Sequence, residues 1–328
     1  MHILKRMIFL VLAAAFLVAG WLAYHVNAVV QLPAVPYEFS IKSGSSLRSV
    51  AKQLVDAGVL HDAWSFVLLS RVMGYASSLK AGDYELSENT SPWQLLKRVT
   101  TGDVNQSEIR FIEGWTFSQL RKTLDEHSAV RHDTAGLSDL EILRLIGASE
   151  TAAEGLFFPD TYYFVRGNSD IAILKRAYRV MQNNLNTAWA ERAANLPLTD
   201  AYQALILASI VEKETGRESD RANIAGVFVN RLRLGMRLQT DPTVIYGLGE
   251  KFDGNLRKKD LLADQEYNTY TRRGLPPTPI ALPGLASIQA ALNPAKTGAL
   301  YFVAKGNGES YFSSNLTEHN RAVAKYQK

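Results

Sequence analysis

Ala204-Leu205-Ile206-Leu207-Ala208-Ser209-Ile210-Val211-Glu212-Lys213-Glu214 is a small and apolar run that ends abruptly in three charges. At 3.6 residues per turn, Glu214 falls on the face of Leu207, Ile210 and Val211, and Glu212 on the face of Leu205, Ala208 and Ser209. Two residues apart, the carboxylates point in roughly opposite directions. Glu214 has the more apolar neighbours. A carboxylate partly desolvated by such a face has a raised pKa and can stay protonated near neutral pH, as a general acid must. The plain alternative is a solvated pair of glutamates at a helix end.

Working outward, Ala-rich helical patterns cover about 170–195 and 200–214. Downstream, 235–284 is rich in Gly, Pro, Asn, Thr and Tyr, with helical period only near 257–263. An irregular stretch of this length inside a domain is usually a functional surface. It is followed by a helix near 285–292, strands at 301–303 and 311–312, and a last helix after Asn315. Upstream, 108–112 reads as a strand, and Thr116 with Gln119 as a capping box. The region before that reads as two strand-then-helix segments. Ile41 leads into a helix on Leu47, Val50, Ala51, Leu54 and Val55 that stops at Gly58. Residues 80–86 lead into a helix begun by Ser91-Pro92 and stopped at Gly102.

The first segment assigns the compartment. Met7 to Val26 is 20 residues without Lys, Arg, Asp or Glu, enough for a helix to cross a bilayer core of about 30 Å. Lys5 and Arg6 precede it and no Lys or Arg follows until Lys42, which puts the N-terminus in the cytoplasm and the body outside. Val26-Asn27-Ala28 resembles a cleavage site, but the apolar run exceeds the roughly 7–15 residues of a signal peptide. The reading is an uncleaved single-pass anchor.

The 328 residues are 47% hydrophobic and 21% charged, with a net charge of +4. This supports one large or two modest cores and gives no case for nucleic acid. With no cysteine, disulfides, thiolate nucleophiles and cysteine metal sites are excluded. The six histidines have no zinc-ligand spacing, and neither a nucleophile elbow nor a phosphate-cradling loop is present. No metal or cofactor is expected. Carboxylate, amide, hydroxyl and aromatic ring remain, the vocabulary of carbohydrate chemistry.

Against this background the run 208–215 resembles the active-site helix of the YceG-like family, the endolytic murein transglycosylases. The resemblance continues through Val227–Leu232, Met236-Arg237-Leu238-Gln239-Thr240-Asp241-Pro242-Thr243-Val244-Ile245-Tyr246-Gly247, Tyr267-Asn268-Thr269-Tyr270 and Gly274–Pro277. Upstream it includes Glu113-Gly114-Trp115 and Glu154–Tyr162, and it spans the chain from about residue 38 to its end. Where relatives often carry a His before the Phe312 motif, this chain has Ser310.

The resemblance implies an α+β protein. It would have a cytoplasmic tail (1–6), a transmembrane anchor (7–26), a linker (27–36), a LysM-like subdomain (37–103), a connecting region (104–160) and a catalytic domain (161–328) with its acid on a central helix. It implies lytic cleavage of the β-1,4 bond between N-acetylmuramic acid and N-acetylglucosamine in nascent peptidoglycan, leaving a 1,6-anhydro sugar and terminating strand growth. Other lytic transglycosylases end this helix in Glu-Ser, which aligns with Glu214-Thr215. Glu214 is then the catalytic residue, and Glu212, Gln239, Thr240, Asp241, Tyr267, Asn268 and Tyr270 are substrate-binding candidates. The implied partners are glycan strands, the inner membrane and membrane-bound peptidoglycan synthases. A non-catalytic glycan-binding scaffold is the competing expectation.

Overall fold

The computed structural model describes Phe9, Ala13, Phe16, Gly20, Trp21 and residues 24–32, 37–41, 44–86, 89–101 and 106–327. Among these no helix is long and apolar enough to cross a membrane. Most of the predicted span 7–26 lies outside the described residues, as do the tail 1–6, Pro33, Pro36 and Gly102.

The chain divides into two units, Met1–Ser107 with Tyr163–Arg166, and Glu108–Tyr162 with Gly167–Lys328. In the first, β1 (Tyr37–Ile41) and β2 (Gly82–Leu86) pair antiparallel, Tyr37 opposite Leu86 and Ile41 opposite Gly82. Phe39 and Tyr84 stack across the pair at 5.3 Å, a cross-strand contact that fixes the register. Between the strands lie α1 (Leu47–Asp56) and α2 (Ala63–Val72), and after them α3 (Pro92–Thr101). Ser46 and Asp62 accept from the backbone N–H three residues on and so start α1 and α2. Leu54, Phe66, Leu86, Leu95 and Leu96 close the core. The order is therefore strand, two helices, strand, helix, not two strand-then-helix segments. The sequence hides α2 because apolar residues lie on both its faces, which blurs the 3.6-residue period.

The second unit is mostly helical. Its helices are α4 (Phe117–Asp125), α5 (Asp139–Ile146), α6 (Asp170–Ala190), α7 (Ala201–Glu214), α8 (Glu218–Arg233), α9 (Asp241–Leu248), α10 (Lys258–Leu262), α11 (Leu285–Leu292) and α12 (Leu316–Tyr326). α4 begins with the reciprocal capping box of Thr116 and Gln119. β3 (Gln106–Arg110) pairs with β4 (Thr161–Val165), and β5 (Tyr301–Ala304) with β6 (Ser310–Ser313). The fold is thus mixed α+β, with only two-stranded sheets among the described residues.

α7 holds the second unit together. Every residue from Ala204 to Val211 is buried, as a helix apolar all round requires. It packs against α11, α8, α6 and α9. α9 lies inside the stretch read from sequence as irregular. Eight residues long, begun by Asp241-Pro242 and ended before Gly249, it is too short to show a period, although Pro in the first turn is a start signal.

α8 meets the segment after α11 at close range. Asn230 Nδ2 donates to the carbonyls of Thr297 (2.8 Å) and Ala299 (3.1 Å). A Cβ on Gly226 would stand 2.7 Å from the Ala295 carbonyl oxygen. On an exposed helix Gly→Ala gains about 1 kcal/mol. Here Gly226→Ala is expected instead to destabilise the fold by about 1–3 kcal/mol, read as a lowered urea midpoint, while Gly→Ala at the open Gly216, which has nothing within 4 Å, leaves the midpoint nearly unchanged.

Candidate functional site

α7 ends at Glu214 because Thr215 turns to extended backbone and Arg217 N–H bonds the Thr215 hydroxyl at 2.9 Å. The two carboxylates of its last turn meet different surroundings.

Glu212 is almost fully enclosed, its side chain 6% exposed. One oxygen lies 3.6 Å from the guanidinium of Arg221 on α8. The other accepts from Gly284 N–H at 3.0 Å, at the N-cap of α11. A cation and the positive end of a helix both compensate its charge. Beside it, the Glu113 carboxyl fills the space a Gly284 Cβ would need, 1.9 Å from one of its oxygens. Partial burial and the neighbouring Glu212 raise the pKa of Glu113, and Arg221 opposes that. Lys213 Nζ donates to the Gly114 carbonyl at 3.1 Å, so the turn 113–115 is tied to the end of α7.

Glu214 is half-buried and forms no ion pair among the described residues. Burial pushes its carboxyl up to about 7. A hydrogen bond from the Thr240 hydroxyl lowers it, and the charge of Asp241 raises it again. Its place at the C-terminal, negative end of α7 also disfavours the ionised form.

Thr240 is held by a ladder of threonines. Its N–H bonds the Thr269 hydroxyl at 3.1 Å, and Thr243 Oγ1 reaches the Thr240 carbonyl (2.8 Å) and Thr269 Oγ1 (2.9 Å). The preceding residue, Gln239, takes a left-handed φ of 53°, uncommon for a residue with a Cβ. Arg231 of α8 holds it there. Its buried guanidinium donates to the carbonyls of Leu300 (2.7 Å), Leu238 (2.8 Å) and Arg237 (3.2 Å) and to Gln239 Oε1 (3.4 Å). Tyr301 covers it at 5.0 Å.

The structure thus gathers Glu214, Thr240, Asp241 and Tyr270. Tyr270 donates its hydroxyl to Asp241 at 2.5 Å. Burial, that bond and the charges of Asp241 and Glu214 raise its pKa. Gln239 supports the group from beneath. Asn268 is wholly buried. Its amide donates to Ala263 O (2.7 Å) and Leu261 O (3.1 Å), and its carbonyl accepts from Tyr270 N–H (2.9 Å). With both ends used, it pins the loop that carries Tyr270. Glu212 likewise acts as a clamp, one oxygen toward Arg221 and the other on Gly284 N–H. Tyr267 bonds Thr278 at 2.9 Å and meets Tyr246 edge-on at 4.9 Å.

Tyr246 leads to a second perturbed carboxyl. Its hydroxyl donates to Glu154 at 3.2 Å, and both Glu154 oxygens accept from Phe117 N–H (3.0 and 3.2 Å). Burial raises Glu154 to about 7. The sequence reading gave no role to Arg221, Arg231, Thr269, Glu113 or Glu154. A signal exists for Arg231: it breaks the apolar run Val227-Phe228-Val229 on α8, where a buried cation needs a built set of acceptors. Ser310 contributes its backbone, donating N–H to Asp220 at 2.8 Å. Among the described residues no three metal-ligating side chains converge.

Stability separates the two glutamates. Glu212→Gln removes the carboxylate paired with the enclosed Arg221, leaving Glu113 as its neighbouring acid, and is expected to cost up to about 3–5 kcal/mol. Glu214 has a folded pKa raised above its unfolded value, so the native state binds the extra proton and stability falls as pH rises from about 4.5 to about 7. Glu214→Gln removes that loss. Urea melts should show the variant more stable than the parent at pH 8, by on the order of 1–3 kcal/mol, and little different at pH 4.5.

Comparison with known proteins agrees on one family. The family model described as the YceG-like family matches residues 39–325. The chain is 33% identical over 305 residues to the endolytic murein transglycosylase of Bacillus subtilis (strain 168), covering 88% of this chain and 84% of that protein. It is 27% identical over 358 residues to the endolytic murein transglycosylase of Streptococcus pneumoniae serotype 2, covering 97% of this chain and 64% of that longer protein. A crystal structure of a YceG-like protein from Listeria monocytogenes superposes with a TM-score of 0.55 at 30% identity, over 87% of this chain and 98% of that one.

Proposed function

The chain belongs to the YceG-like family, and from that premise we propose that Glu214 is the acid and base of a peptidoglycan lytic transglycosylase. The enzyme class follows from the relatives named endolytic murein transglycosylase. The chemistry rests on one arrangement: a half-buried carboxyl bonded by one threonine hydroxyl and paired with no cation among the described residues, which burial pushes up to about 7.

Such a group can work in both directions near neutral pH. Protonated, Glu214 gives its proton to the oxygen between C1 of N-acetylmuramic acid and the N-acetylglucosamine it links, and the C1–O bond breaks. The resulting carboxylate, steadied by Thr240, takes the proton of the muramic C6 hydroxyl as that oxygen bonds to C1. The products are a free sugar hydroxyl and a 1,6-anhydro ring, with no water consumed and Glu214 protonated again. A hydrolytic glycosidase needs a second carboxylate. An intramolecular nucleophile already in place makes one enough. Tyr270, Asp241 and Tyr267 would contact the sugars.

The apolar run 7–26 would anchor the chain in the inner membrane, N-terminus in the cytoplasm and body in the periplasm. An anchored enzyme acts where nascent strands are themselves tethered, which suits release of growing strands beside membrane-bound synthases.

Glu214→Gln is expected to lower the rate of anhydro-end formation on purified glycan strands by at least about a thousandfold, a loss of roughly 4 kcal/mol in transition-state stabilisation. Mass spectrometry reads the ends: anhydro ends support the intramolecular route, reducing hemiacetal ends would make the enzyme a hydrolase, and full activity of the variant would remove Glu214 from the reaction. The acid form is required first, so kcat/KM should fall as pH rises through about 7. Thr240→Val removes the bond that lowers this pKa, so the fall should move to higher pH; a move to lower pH would contradict the assignment.

A further inference from the structure

One exposed face of the first unit has no part in this chemistry. α2 turns Phe66, Leu69 and Ser70 inward. Its outer side carries Trp64, Leu68, Arg71 and Val72, the i, i+4 and i, i+3 spacing of one stripe. Trp64 is 63% and Val72 73% exposed, and Met73 and Tyr75 continue the exposed apolar surface past the helix end. Arg48 of α1 lines the same hollow as Trp64 and Arg71. α2 itself contains no acidic residue. An apolar, aromatic stripe with guanidinium groups at its rim is the pattern of a helix lying in a bilayer interface, rings at the acyl boundary and cations at the phosphates.

The position of this face in the chain favours lipid as its occupant. Residues 24–27 are helical, and Val26, the last residue of the apolar run, packs against the core of the first unit. Val30 N–H bonds the Thr90 carbonyl at 2.9 Å, and Leu32 N–H bonds Asn89 Oδ1 at 3.0 Å. The expected linker 27–36 is therefore fastened to the unit over its first half. His25 stands within electrostatic reach of Asp62, the residue that caps α2. The Trp21 ring lies 4.5 Å from the His25 ring. If residues 7–26 span the membrane, the reading on which this inference rests, the start of α2 stands beside the outer headgroup layer.

We propose that the outer face of α2, with Arg48 and Arg71 at its rim, docks on the anionic headgroup layer of the bilayer that holds the anchor. Docking would fix the first unit against the membrane surface.

The chain has no cysteine, so single cysteines can carry nitroxide labels without competition. The full-length protein is labelled in turn at Phe16, Leu68, Val72 and, on α3, Lys97. Each is placed in nanodiscs with and without phosphatidylglycerol. With the anionic lipid, labels at Phe16, Leu68 and Val72 are expected to be relaxed more by oxygen than by a water-soluble nickel complex, and the label at Lys97 the reverse. Without that lipid, or in Arg48→Glu/Arg71→Glu, Leu68 and Val72 should become open to nickel by several-fold while Phe16 does not. If Leu68 and Val72 behave as Lys97 does while Phe16 stays embedded, the docking is wrong and the anchor stands. Phe16 open to nickel removes the anchor and the docking with it. Labels at Leu68 and Val72 that respond to added glycan strands and not to lipid assign the face to glycan and overturn the proposal.

Discussion

The site depends on an inequality of charge compensation at the end of one buried helix. α7 carries two carboxylates in its last turn. Glu212 faces Arg221 and the first N–H of α11, so its charge is matched from two sides. Glu214 faces one hydroxyl and the like charge of Asp241. Burial pushes the Glu214 carboxyl up toward neutrality, and no cation among the described residues is paired with it to answer that. The compensated glutamate ties the end of α7 to α8 and α11, and the uncompensated one is the group to which we assign proton transfer.

Much of the surrounding polar structure maintains that inequality. The clamp of Glu212, Arg221 and Gly284 ties α7, α8 and α11 together, with Glu113 packed against Gly284. On the other side Arg231 fixes the left-handed Gln239 and thus the backbone of Thr240, whose hydroxyl is the only hydrogen-bond donor to Glu214 among the described residues. A buried arginine spending its donors on backbone carbonyls is costly unless every one is met. Here Nε and Nη1 meet the carbonyls of Leu300, Arg237 and Leu238 and Gln239 Oε1.

The sequence made the helices legible wherever they bury one face and are capped by short polar residues. α4, with Thr116 and Gln119, and α12, after Asn315, are examples. It hid α2 and α9, the first apolar on both sides and the second only eight residues long. For the site, sequence periodicity singled out Glu214 for its apolar face, yet α7 is buried on all sides from Ala204 to Val211 and the Glu212 side chain is enclosed as well. What distinguishes them is the set of partners, Arg221 from α8 and Gly284 some seventy residues on, which no local pattern reveals. Asn268 shows the same limit: its amide, beside two tyrosines in sequence, holds the loop through Ala263 and Tyr270, partners that no sequence pattern marks.

The central claim, that Glu214 is an uncompensated carboxyl poised at neutrality, is tested most directly by its own titration. Carbon NMR of protein labelled at glutamate Cδ, compared with Glu214→Gln to identify the resonance, gives the midpoint without any assay. The account predicts a midpoint near 7. A midpoint at or below the ordinary value of 4.5 would mean that the charge of Glu214 is compensated after all, and would contradict it.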